Sequence, residues 1–456
     1  MAKKKQIELT IEEKLQNALV PKEEQPYKIP SNWCWSYWKY CGKFIAGNGF
    51  KNIYQGFTQY DIPYYKVGSL KFCDEGNYLI DETNTINEEI RTKLKAVKIP
   101  VNSIIFAKIG EAIKLNRRCL NKIECCIDNN LMAFISEKYF YKYIFYWTKS
   151  LNFYELTNAT TVPALRKTDL ENIPIPLPPL NEQQRIVNRI ESLFVKLDRA
   201  KELIENTLAQ FEQNKMAILH KAFTGELTAK WRKENNIDLS SWQEKTIDEL
   251  CTSLKYGTSK KSKLEGSVVV LRMGNLQNGE IDWSNLMYTD DKDDIEKYLL
   301  KKGDVLFNRT NSPELVGKTS IYRGEYPAIY AGYLIKLDYG KDIIGEYLNY
   351  MMNSTKAKHY CYTVKTDGVS QSNINAKKIG AFEIPVPTIE EQQEIVNILD
   401  KLLAKYNKIK NLEQQLEKIE LLKKAILAKA FRGELGTNNP DEESAENLLK
   451  EILAEK

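Results

Sequence analysis

The sequence predicts an α+β protein with two similar mixed α/β domains and two long helices, because the chain repeats itself once. Each copy begins at a tryptophan, runs through a variable front and ends in a near-identical helical back. A period of about 209 residues is far too long for a solenoid, so it describes two large halves related by an approximate twofold repeat. Three segments return in order: Pro176-Leu177-Pro178 as Pro385-Val386-Pro387, Glu182-Gln183-Gln184 as Glu391-Gln392-Gln393, and Gly225-Glu226-Leu227 as Gly433-Glu434-Leu435.

Length and composition agree with this division. A chain of 456 residues with 43% hydrophobic content has the size of two to four compact units. No apolar run approaches the roughly 20 residues that cross a bilayer, and Lys3-Lys4-Lys5 opens the chain where a signal peptide would need an apolar segment. We therefore expect a soluble, cytoplasmic protein. The net charge of +5 permits an acidic polymer as a partner without requiring one.

The fronts, roughly 31 to 175 and 240 to 384, contain β-rich runs that end in a cation at matching places. Lys66 corresponds to Arg272 and Lys108 to Arg309, each at the end of an apolar run. The segments between these matches differ. Two domains of one fold with dissimilar loops are typical of proteins that read two different targets.

The backs of both copies predict long amphipathic helices. Apolar residues recur at steps of three and four over about 40 residues, or about 60 Å of helix. A stripe of this length needs a partner, and packing of the two helices as a coiled coil is the simplest solution. Packing of each helix on its own front is the alternative. The stripes contain Leu193, Leu197, Ala200, Ile204, Leu208 and Phe211 in the first copy and Leu402, Tyr406, Ile409, Leu412, Leu416, Ile419 and Ile426 in the second.

The loops of both fronts carry side chains suited to nucleic acid. Lysine and arginine neutralise phosphates, and Arg, Asn and Gln can form paired hydrogen bonds to guanine or adenine edges. Any single lysine is more often solvated surface, so clustering at corresponding places is what favours this interpretation. The candidates are Lys51, Lys66, Lys108, Arg117, Arg118, Arg166 and Lys167 in the first front and Lys260, Lys261, Arg272, Asn308, Arg309, Lys318, Gln371 and Asn373 in the second.

Signatures of an enzyme or a metal site are weak. The sequence has no P-loop motif. Asp61-Ile62-Pro63-Tyr64 resembles the base-holding loop of adenine-N6 methyltransferases, but it follows Gly47 by only 14 residues, and a cofactor domain needs several βα units between such loops. Eight cysteines without a C-x-x-C pair or a nearby histidine indicate reduced structural thiols, not a zinc site. His220 and His359 are interpreted as structural.

These duplicated motifs resemble the specificity subunits of type I restriction-modification systems. The resemblance covers nearly the whole chain and rests on the tryptophan that begins each front, the I-P-x-P segment, the E-Q-Q helix start and the final A-F-x-G-E-L. It implies two target recognition domains, each reading half of a split asymmetric DNA site. It also implies two helical regions that pack antiparallel, set the gap between the half-sites and dock partner subunits.

The resemblance further implies a non-catalytic chain that binds double-stranded DNA, two modification subunits and two restriction subunits. S-adenosylmethionine, ATP and Mg²⁺ are expected on those partners and no cofactor or metal on this chain. Candidate coil or docking residues are Leu193, Leu197, Ile204, Leu208, Phe223, Leu402, Tyr406, Ile409, Leu416 and Phe431. The implied ranges are an N-terminal arm at 1–30, recognition domains at 31–180 and 231–388, conserved helices at 181–230 and 389–434, and a tail helix at 435–456 that binds a partner or caps the coil.

Two other classes fit the residues less well. A coiled-coil scaffold with two protein-binding domains would show no salt-dependent DNA affinity. A stand-alone adenine methyltransferase would modify DNA without added subunits.

Overall fold

A computed structural model describes residues 10–157, 162–404 and 410–455, with only the backbone of Lys410 and Asn411. The chain forms two compact units. Unit 1 comprises Met1–Glu202 and Gln415–Lys456, and unit 2 comprises Leu203–Gln414. Each unit therefore combines one front with parts of both helical backs.

The first part of the chain contains nine strands and five helices within its described residues. In chain order they are α1 (Ile11–Ala18), β1 (Cys34–Tyr37), β2 (Gly42–Ala46), β3 (Ile62–Tyr65), β4 (Thr85–Ile86), α2 (Glu88–Leu94), β5 (Ile104–Ala107), β6 (Arg118–Leu120), β7 (Cys126–Ile127), β8 (Leu131–Ser136), α3 (Tyr141–Ser150), α4 (Lys167–Glu171), β9 (Pro174–Leu177) and α5 (Leu180–Phe223).

The described remainder of the chain follows the same order with additional short strands. Its elements are α6 (Ala229–Glu234), β10 (Gln243–Thr246), α7 (Ile247–Leu250), β11 (Cys251–Tyr256), β12 (Val268–Leu271), β13 (Leu276–Gln277), β14 (Glu280–Ile281), β15 (Tyr288–Thr289), α8 (Lys292–Tyr298), β16 (Val305–Asn308), β17 (Thr310–Asn311), β18 (Thr319–Ile321), β19 (Ala328–Tyr330), β20 (Leu334–Tyr339), α9 (Gly345–Met352), α10 (Thr355–Val364), β21 (Thr366–Asp367), β22 (Ser372–Asn373), α11 (Ala376–Gly380), β23 (Glu383–Val386), α12 (Ile389–Ala404), α13 (Lys410–Phe431) and α14 (Ala445–Ala454).

The larger sheets of the two units match strand for strand, and unit 2 adds the short sheets β13-β14 and β17-β22-β21. The main sheet has the order β2-β8-β5-β6 in unit 1 and β11-β20-β16-β18 in unit 2. A smaller three-stranded sheet has the order β4-β3-β7 and β15-β12-β19, with one antiparallel and one parallel pair in each unit. Antiparallel pairs β1-β9 and β10-β23 complete the correspondence. The duplication predicted from the sequence is therefore a duplication of fold.

Each unit has its own hydrophobic core. The core of unit 1 is aromatic around Trp38, whose ring packs edge-on against Phe44 and Trp147 with centroids 4.7 and 5.0 Å away. The core of unit 2 contains Phe307 and Tyr347 beside residues of α5 and α12. Burial of such large side chains contributes about 1.5–3 kcal/mol each, so the fronts and helix segments of one unit stabilise one another.

The long helices begin close to the proline pairs, as the sequence predicts: α5 begins directly after Pro179 and runs for 44 residues, and α12 begins after Thr388, one residue beyond Pro387. The second helix is described in two segments, α12 and α13, and the predicted stripe residues Tyr406 and Ile409 lie outside the described residues. Within unit 1, Asp198 pairs with Lys423 and Lys201 with Glu420. Because the partner number falls as the residue number rises, α5 and α13 are antiparallel there.

The repeated Glu-Gln pair at each helix start forms a buried cluster of hydrogen bonds. The carboxylate of Glu391 accepts hydrogen bonds from Thr228 Oγ1 (2.7 Å), an Arg232 guanidinium nitrogen (2.6 Å) and Trp242 Nε1 (2.9 Å). Gln392 donates to the Pro387 carbonyl at 2.9 Å and accepts from Ile344 N at 2.9 Å. The Glu391 bonds join the helix start to the segment that follows α5, and the Gln392 bonds join it to the residue that precedes α9.

Unit 1 has the same kind of hydrogen-bond cluster around Glu182, built with residues from the chain's C-terminal tail. The buried carboxylate of Glu182 accepts from Thr437 Oγ1 at 2.6 Å and from Arg185, which also binds both oxygens of Glu442 at 2.7 and 2.8 Å. Trp33 Nε1 donates to Asn438 at 3.1 Å. Burial raises the pKa of Glu182, whereas hydrogen bonds from Arg185 lower the pKa of Glu442.

The first and last described residues, Thr10 and Glu455, both belong to unit 1. Within the tail at 435–456, helix α14 covers Ala445–Ala454, and it packs on α1 with Leu449 and Ile452 buried in the unit 1 core. A capping box between Thr10 and Glu13 begins α1. Since the tail closes the core of its own unit, its apolar face is occupied within the chain.

The expectation of reduced cysteines is wrong for one pair, because a disulfide joins Cys73 to Cys119. The two residues are 46 positions apart in sequence and meet only through the fold of unit 1. Within the described residues, no helix is long and apolar enough to span a membrane.

Candidate nucleic-acid interface

In unit 2, Arg309 lies directly after β16 and is surrounded by polar and aromatic groups. Its guanidinium carbon is 4.9 Å from the ring centre of Tyr256, the last residue of β11. One guanidinium nitrogen donates to Asn373 Oδ1 at 3.2 Å and another to the Gly332 carbonyl at 3.4 Å. These long bonds hold the side chain in place while leaving guanidinium hydrogens for another acceptor.

A three-stranded ribbon, β17-β22-β21, lies beside Arg309. Asn373 donates to Thr310 Oγ1 at 2.7 Å, which joins β22 to β17 within the ribbon. The hairpin turn is closed by a bond from Gly368 N to the Gln371 carbonyl at 2.8 Å, and Asp367 accepts from Lys365 and Ser372. The ribbon is therefore internally braced, and it presents exposed Val369 and Gln371 at its tip.

Unit 1 builds the same backbone at the end of β5 with different side chains. Leu165 N donates to the Lys108 carbonyl at 2.8 Å, as Ile374 N does to the Arg309 carbonyl at 2.8 Å. The bridge between Ile109 and Ala164 corresponds to the β17-β22 pair of Thr310 and Asn373. Ile109 is 37% exposed and Val162 is 54% exposed, so the unit 1 edge is apolar where the unit 2 edge is polar.

The second predicted correspondence, Lys66 with Arg272, is also structural. Each residue begins a short helical turn in which its own N–H binds a side-chain oxygen three residues ahead, Ser69 at 3.0 Å and Asn275 at 2.9 Å. Lys66 Nζ then reaches Gln55 at 2.7 Å, and Arg272 binds the Asn285 carbonyl at 2.7 Å. Their charged ends are partly engaged inside their own units.

The remaining candidates divide by exposure. Lys260 is held by Asp291 at 2.7 Å and Asp294 at 3.3 Å, and Lys318 donates to Gln277 at 2.8 Å. Lys167 lies 3.6 Å from Glu171. The candidates with exposed side chains are Lys51, Arg117, Arg166, Lys167, Lys260, Lys261 and Gln371, and the half-buried ones are Lys66, Lys108, Arg272, Arg309, Lys318 and Asn373.

Two candidates are in the core and cannot contact DNA in this conformation. Arg118 is 2% exposed, lies 3.8 Å above the Phe153 ring and donates to the carbonyls of Asn116 and Leu151. Burial lowers its pKa to about 9. Asn308 is fully buried at the end of β16. The sequence misleads here because it does not show whether a polar side chain near a strand end reaches solvent or is buried against backbone groups of its own unit.

The candidate residues on the helices also differ in burial. Phe223 and Phe431 lie in the cores of units 2 and 1, with rings 5.3 Å from Tyr347 and 5.4 Å from Tyr143, so both pack inside their own units. The half-buried candidates are Leu193, Leu197, Ile204, Leu208, Leu402 and Leu416. The sequence analysis did not single out Tyr256, because it lies 53 positions before Arg309 in the chain and meets it only through the fold.

The enzyme-like motif has a structural explanation. Ile62, Pro63 and Tyr64 form the buried strand β3. A Cβ on Gly47 would meet the Asp128 carbonyl oxygen at 2.0 Å, and one on Gly257 would meet the Tyr330 carbonyl oxygen at 2.1 Å. Both glycines thus allow a close backbone approach of the same sheets. Among the described residues, no group of three or more His, Cys, Asp or Glu side chains could hold a metal ion.

Comparison with known proteins follows this duplication. A family model described as "Type I restriction modification DNA specificity domain" matches residues 52–212 and 240–421. The specificity subunit of the EcoKI type I restriction enzyme from Escherichia coli (strain K12) is 29% identical over 66% of this chain and 68% of its own length. The StySPI specificity subunit from Salmonella potsdam is 29% identical over 69% and 71%.

A solved structure has the same fold. A chain from work on complex assembly and conformational transition of the type I R-M system aligns with a TM-score of 0.66 and 19% identity. The alignment covers 90% of this chain and all of that one.

Proposed function

The chain belongs to the type I restriction-modification DNA specificity family, and from that membership and the geometry we propose how it recognises DNA. It is a specificity subunit, and its function is DNA sequence recognition. Unit 1 reads one half of a bipartite, asymmetric site and unit 2 reads the other. The chain itself catalyses no reaction.

One observation carries this proposal: the strand-end edge has the same backbone in both units and different side chains. An edge used only for folding would keep similar side chains in the two copies. Arg309 and Gln371 can form paired hydrogen bonds to guanine and adenine edges, whereas Ile109 and Val162 suit contact with a thymine methyl group. Equivalent scaffolds with different chemistry are what two distinct half-sites require.

Exposed cations supply the contacts that carry no sequence information. Phosphate contacts position a protein on DNA, and base contacts specify the sequence. We assign the positioning role to Lys51, Arg117, Arg166 and Lys261, because their side chains are exposed. Lys66, Lys108 and Arg272 supply charge closer to the strand ends.

The helices dock two modification subunits in this proposal. Val195, Leu421 and Leu422 are 69%, 62% and 49% exposed within unit 1, and exposed apolar side chains on helices favour a protein partner. The modification subunits bind S-adenosylmethionine and methylate adenine. Two restriction subunits join them and use ATP and Mg²⁺.

The spacing between half-sites follows from the helices. Inserting four residues after Asn206 in α5 and four after Gln414 in α13 adds about 6 Å of rise. The preferred gap between half-sites should then grow by one or two base pairs. An unchanged gap would refute this role for the helices.

The direct test is to express the chain with its modification subunit in a host that lacks adenine methylation and to map modified adenines by long-read sequencing. A split motif with a fixed gap supports the proposal. Modification at a continuous motif, or by the chain alone, contradicts it. Purified complex should also bind DNA with an affinity that falls steeply with salt, which a protein scaffold would not show.

A further inference from the structure

In each unit, a three-residue turn lies between the two strand ends that carry the matched cations. In unit 1 this turn comprises residues 128–130, between β7 and β8. Asp128 N donates to the carbonyl of the residue before Lys66 at 2.9 Å. Lys108 N donates to the Asn130 carbonyl, also at 2.9 Å. Because the turn is bound to both strand ends, we call it the edge turn of unit 1.

Unit 2 builds an equivalent edge turn from residues 331–333, between β19 and β20. Ala331 N donates to the carbonyl of the residue before Arg272 at 2.9 Å. Arg309 N donates to the Tyr333 carbonyl at 3.1 Å. The two edge turns therefore have matching backbone bonds, although no residue type is shared at any of their three positions.

The edge turn of unit 1 presents amide groups. Asn129 is exposed and Asn130 is half-buried, and within the described residues neither side-chain amide forms a hydrogen bond. The turn is closed by Asp128, whose carboxylate accepts from Asn130 N at 3.0 Å. Asparagine is common in turns because it tolerates positive φ, but neither asparagine here is among the residues with positive φ. The backbone conformation therefore does not require an asparagine at position 129.

The edge turn of unit 2 presents an aromatic ring instead. Tyr333 is 51% exposed, and Tyr256, whose ring centre is 4.9 Å from the Arg309 guanidinium, is 40% exposed. Gly332, within the turn, accepts from the same guanidinium at 3.4 Å. Tyrosines with one apolar and one polar end are enriched at interfaces, so two partly exposed tyrosines near one arginine favour a ligand that covers them.

We propose that the edge turns read bases in the major groove, with Asn129 reading an adenine in one half-site and Tyr333 contacting a thymine methyl group in the other. An asparagine amide can form paired hydrogen bonds to N6 and N7 of adenine, and an aromatic ring suits apolar contact with the thymine methyl group. Phosphate is the less suitable ligand because neither side chain carries a positive charge. This inference rests on the proposed function and adds one read base pair to each half-site.

Base analogues that lack a single group test each contact, with the full chain bound to its modification subunit. The split motif is first mapped from methylated adenines. Each adenine of the motif is then replaced by 7-deazaadenine, which lacks the N7 acceptor, and each thymine by uracil, which lacks the methyl group. In competition binding, loss of the N7 bond should weaken the unaltered complex by about fivefold. Loss of the methyl contact should weaken it by about fourfold.

Each variant should become insensitive to one analogue at one position of one half-site. Asn129→Ala should bind the adenine and 7-deazaadenine duplexes equally, and Tyr333→Ala should bind the thymine and uracil duplexes equally. Tyr333→Phe keeps the ring and should keep the preference for thymine. The controls are Lys122→Ala and Tyr326→Ala, because these exposed side chains lie before β7 and β19, whereas the edge turns follow those strands. Both controls should respond to the analogues as the unaltered complex does.

Three results would overturn the reading role of the edge turns. In the first, the unaltered complex tolerates 7-deazaadenine and uracil at every position of the motif. In the second, Asn129→Ala and Tyr333→Ala keep its full sensitivity to both analogues, while Arg309→Ala still relaxes one half-site, so that the proposed function stands without this inference. In the third, the variants weaken binding equally for all duplexes. If the unaltered complex methylated no split motif, the proposed function would fail as well.

Discussion

The strand-end edges of unit 1 and unit 2 share a backbone and differ in nearly every side chain. The Lys108 and Arg309 carbonyls each accept one bond at 2.8 Å from the segment that precedes the next helix. Around that bond, unit 2 places Thr310 and Asn373 where unit 1 places Ile109 and Ala164. The comparison teaches that the repeated residues build the scaffold and the unrepeated ones decide what it reads.

The largest expected effect is the loss of stability when the buried glutamate at either helix start is replaced by alanine. Glu391→Ala leaves the buried Arg232 charge and the Trp242 N–H without their acceptor, which should destabilise unit 2 by about 3–5 kcal/mol. Glu182→Ala should cost less, about 1–3 kcal/mol, because Arg185 keeps Glu442. Urea unfolding followed by tryptophan fluorescence measures both.

Glu390→Ala is the control for this pair, because Glu390 is exposed on the same helical turn. If Glu182→Ala and Glu391→Ala lowered the free energy of unfolding equally, the tail would contribute nothing to the hydrogen-bond cluster of unit 1.

Alanine in place of the glycine at each close backbone approach should destabilise the two units equally. Gly47→Ala and Gly257→Ala each place a Cβ about 2 Å from a carbonyl oxygen, and the strands must move apart. We expect each to cost about 1–3 kcal/mol in thermal unfolding. Gly49→Ala and Gly274→Ala, whose Cβ atoms would meet nothing within 4 Å, should be near neutral. A large difference between Gly47→Ala and Gly257→Ala would break the equivalence of the two sheets.

The reading side chains should act on separate half-sites. Arg309→Ala should relax sequence preference in one half-site by about 1–3 kcal/mol and leave the other unchanged. Lys108→Ala should weaken binding for all sequences and reduce the salt dependence. Competition binding with half-site variants separates these outcomes, and Lys301→Ala is the neutral control. Relaxed preference in both half-sites after Arg309→Ala would contradict the assignment of one unit per half-site.

The smallest effect concerns pH and the tail. Arg185 lowers the pKa of Glu442 in the folded chain, so this pair stabilises unit 1 fully above the ordinary glutamate pKa near 4.5. Its contribution is lost as pH falls through the lowered value. Glu442→Gln should remove about 1 kcal/mol at pH 7 and less at pH 3. A stability difference that did not shrink in acid would show that Glu442 acts by packing and not by charge.

The sequence predicted the architecture well because duplication repeats local signals. Proline pairs, the E-Q-Q start and the apolar stripe all act over a few residues, and α5 and α12 begin where these signals place them. The burial of Glu391 was not predictable, because Thr228, Arg232 and Trp242 lie about 150 residues or more away in sequence.

The candidate site was harder to derive from the sequence, for the same physical reason. Arg309 was chosen from its matched position and Asn373 from its chemistry, and the fold places a guanidinium nitrogen of Arg309 3.2 Å from Asn373 Oδ1. Arg118 was chosen on the same chemistry, but its guanidinium is satisfied by two carbonyls and an aromatic ring inside the core. Charge alone does not distinguish a surface arginine from one enclosed by the packing of distant segments.

Exchange of residues 240–384 for the corresponding front of a relative with another target, followed by mapping of methylated adenines, tests the central claim most directly. The account predicts that one half of the split motif changes, while the other half and the gap stay the same. A change in both halves, or in neither, would contradict it.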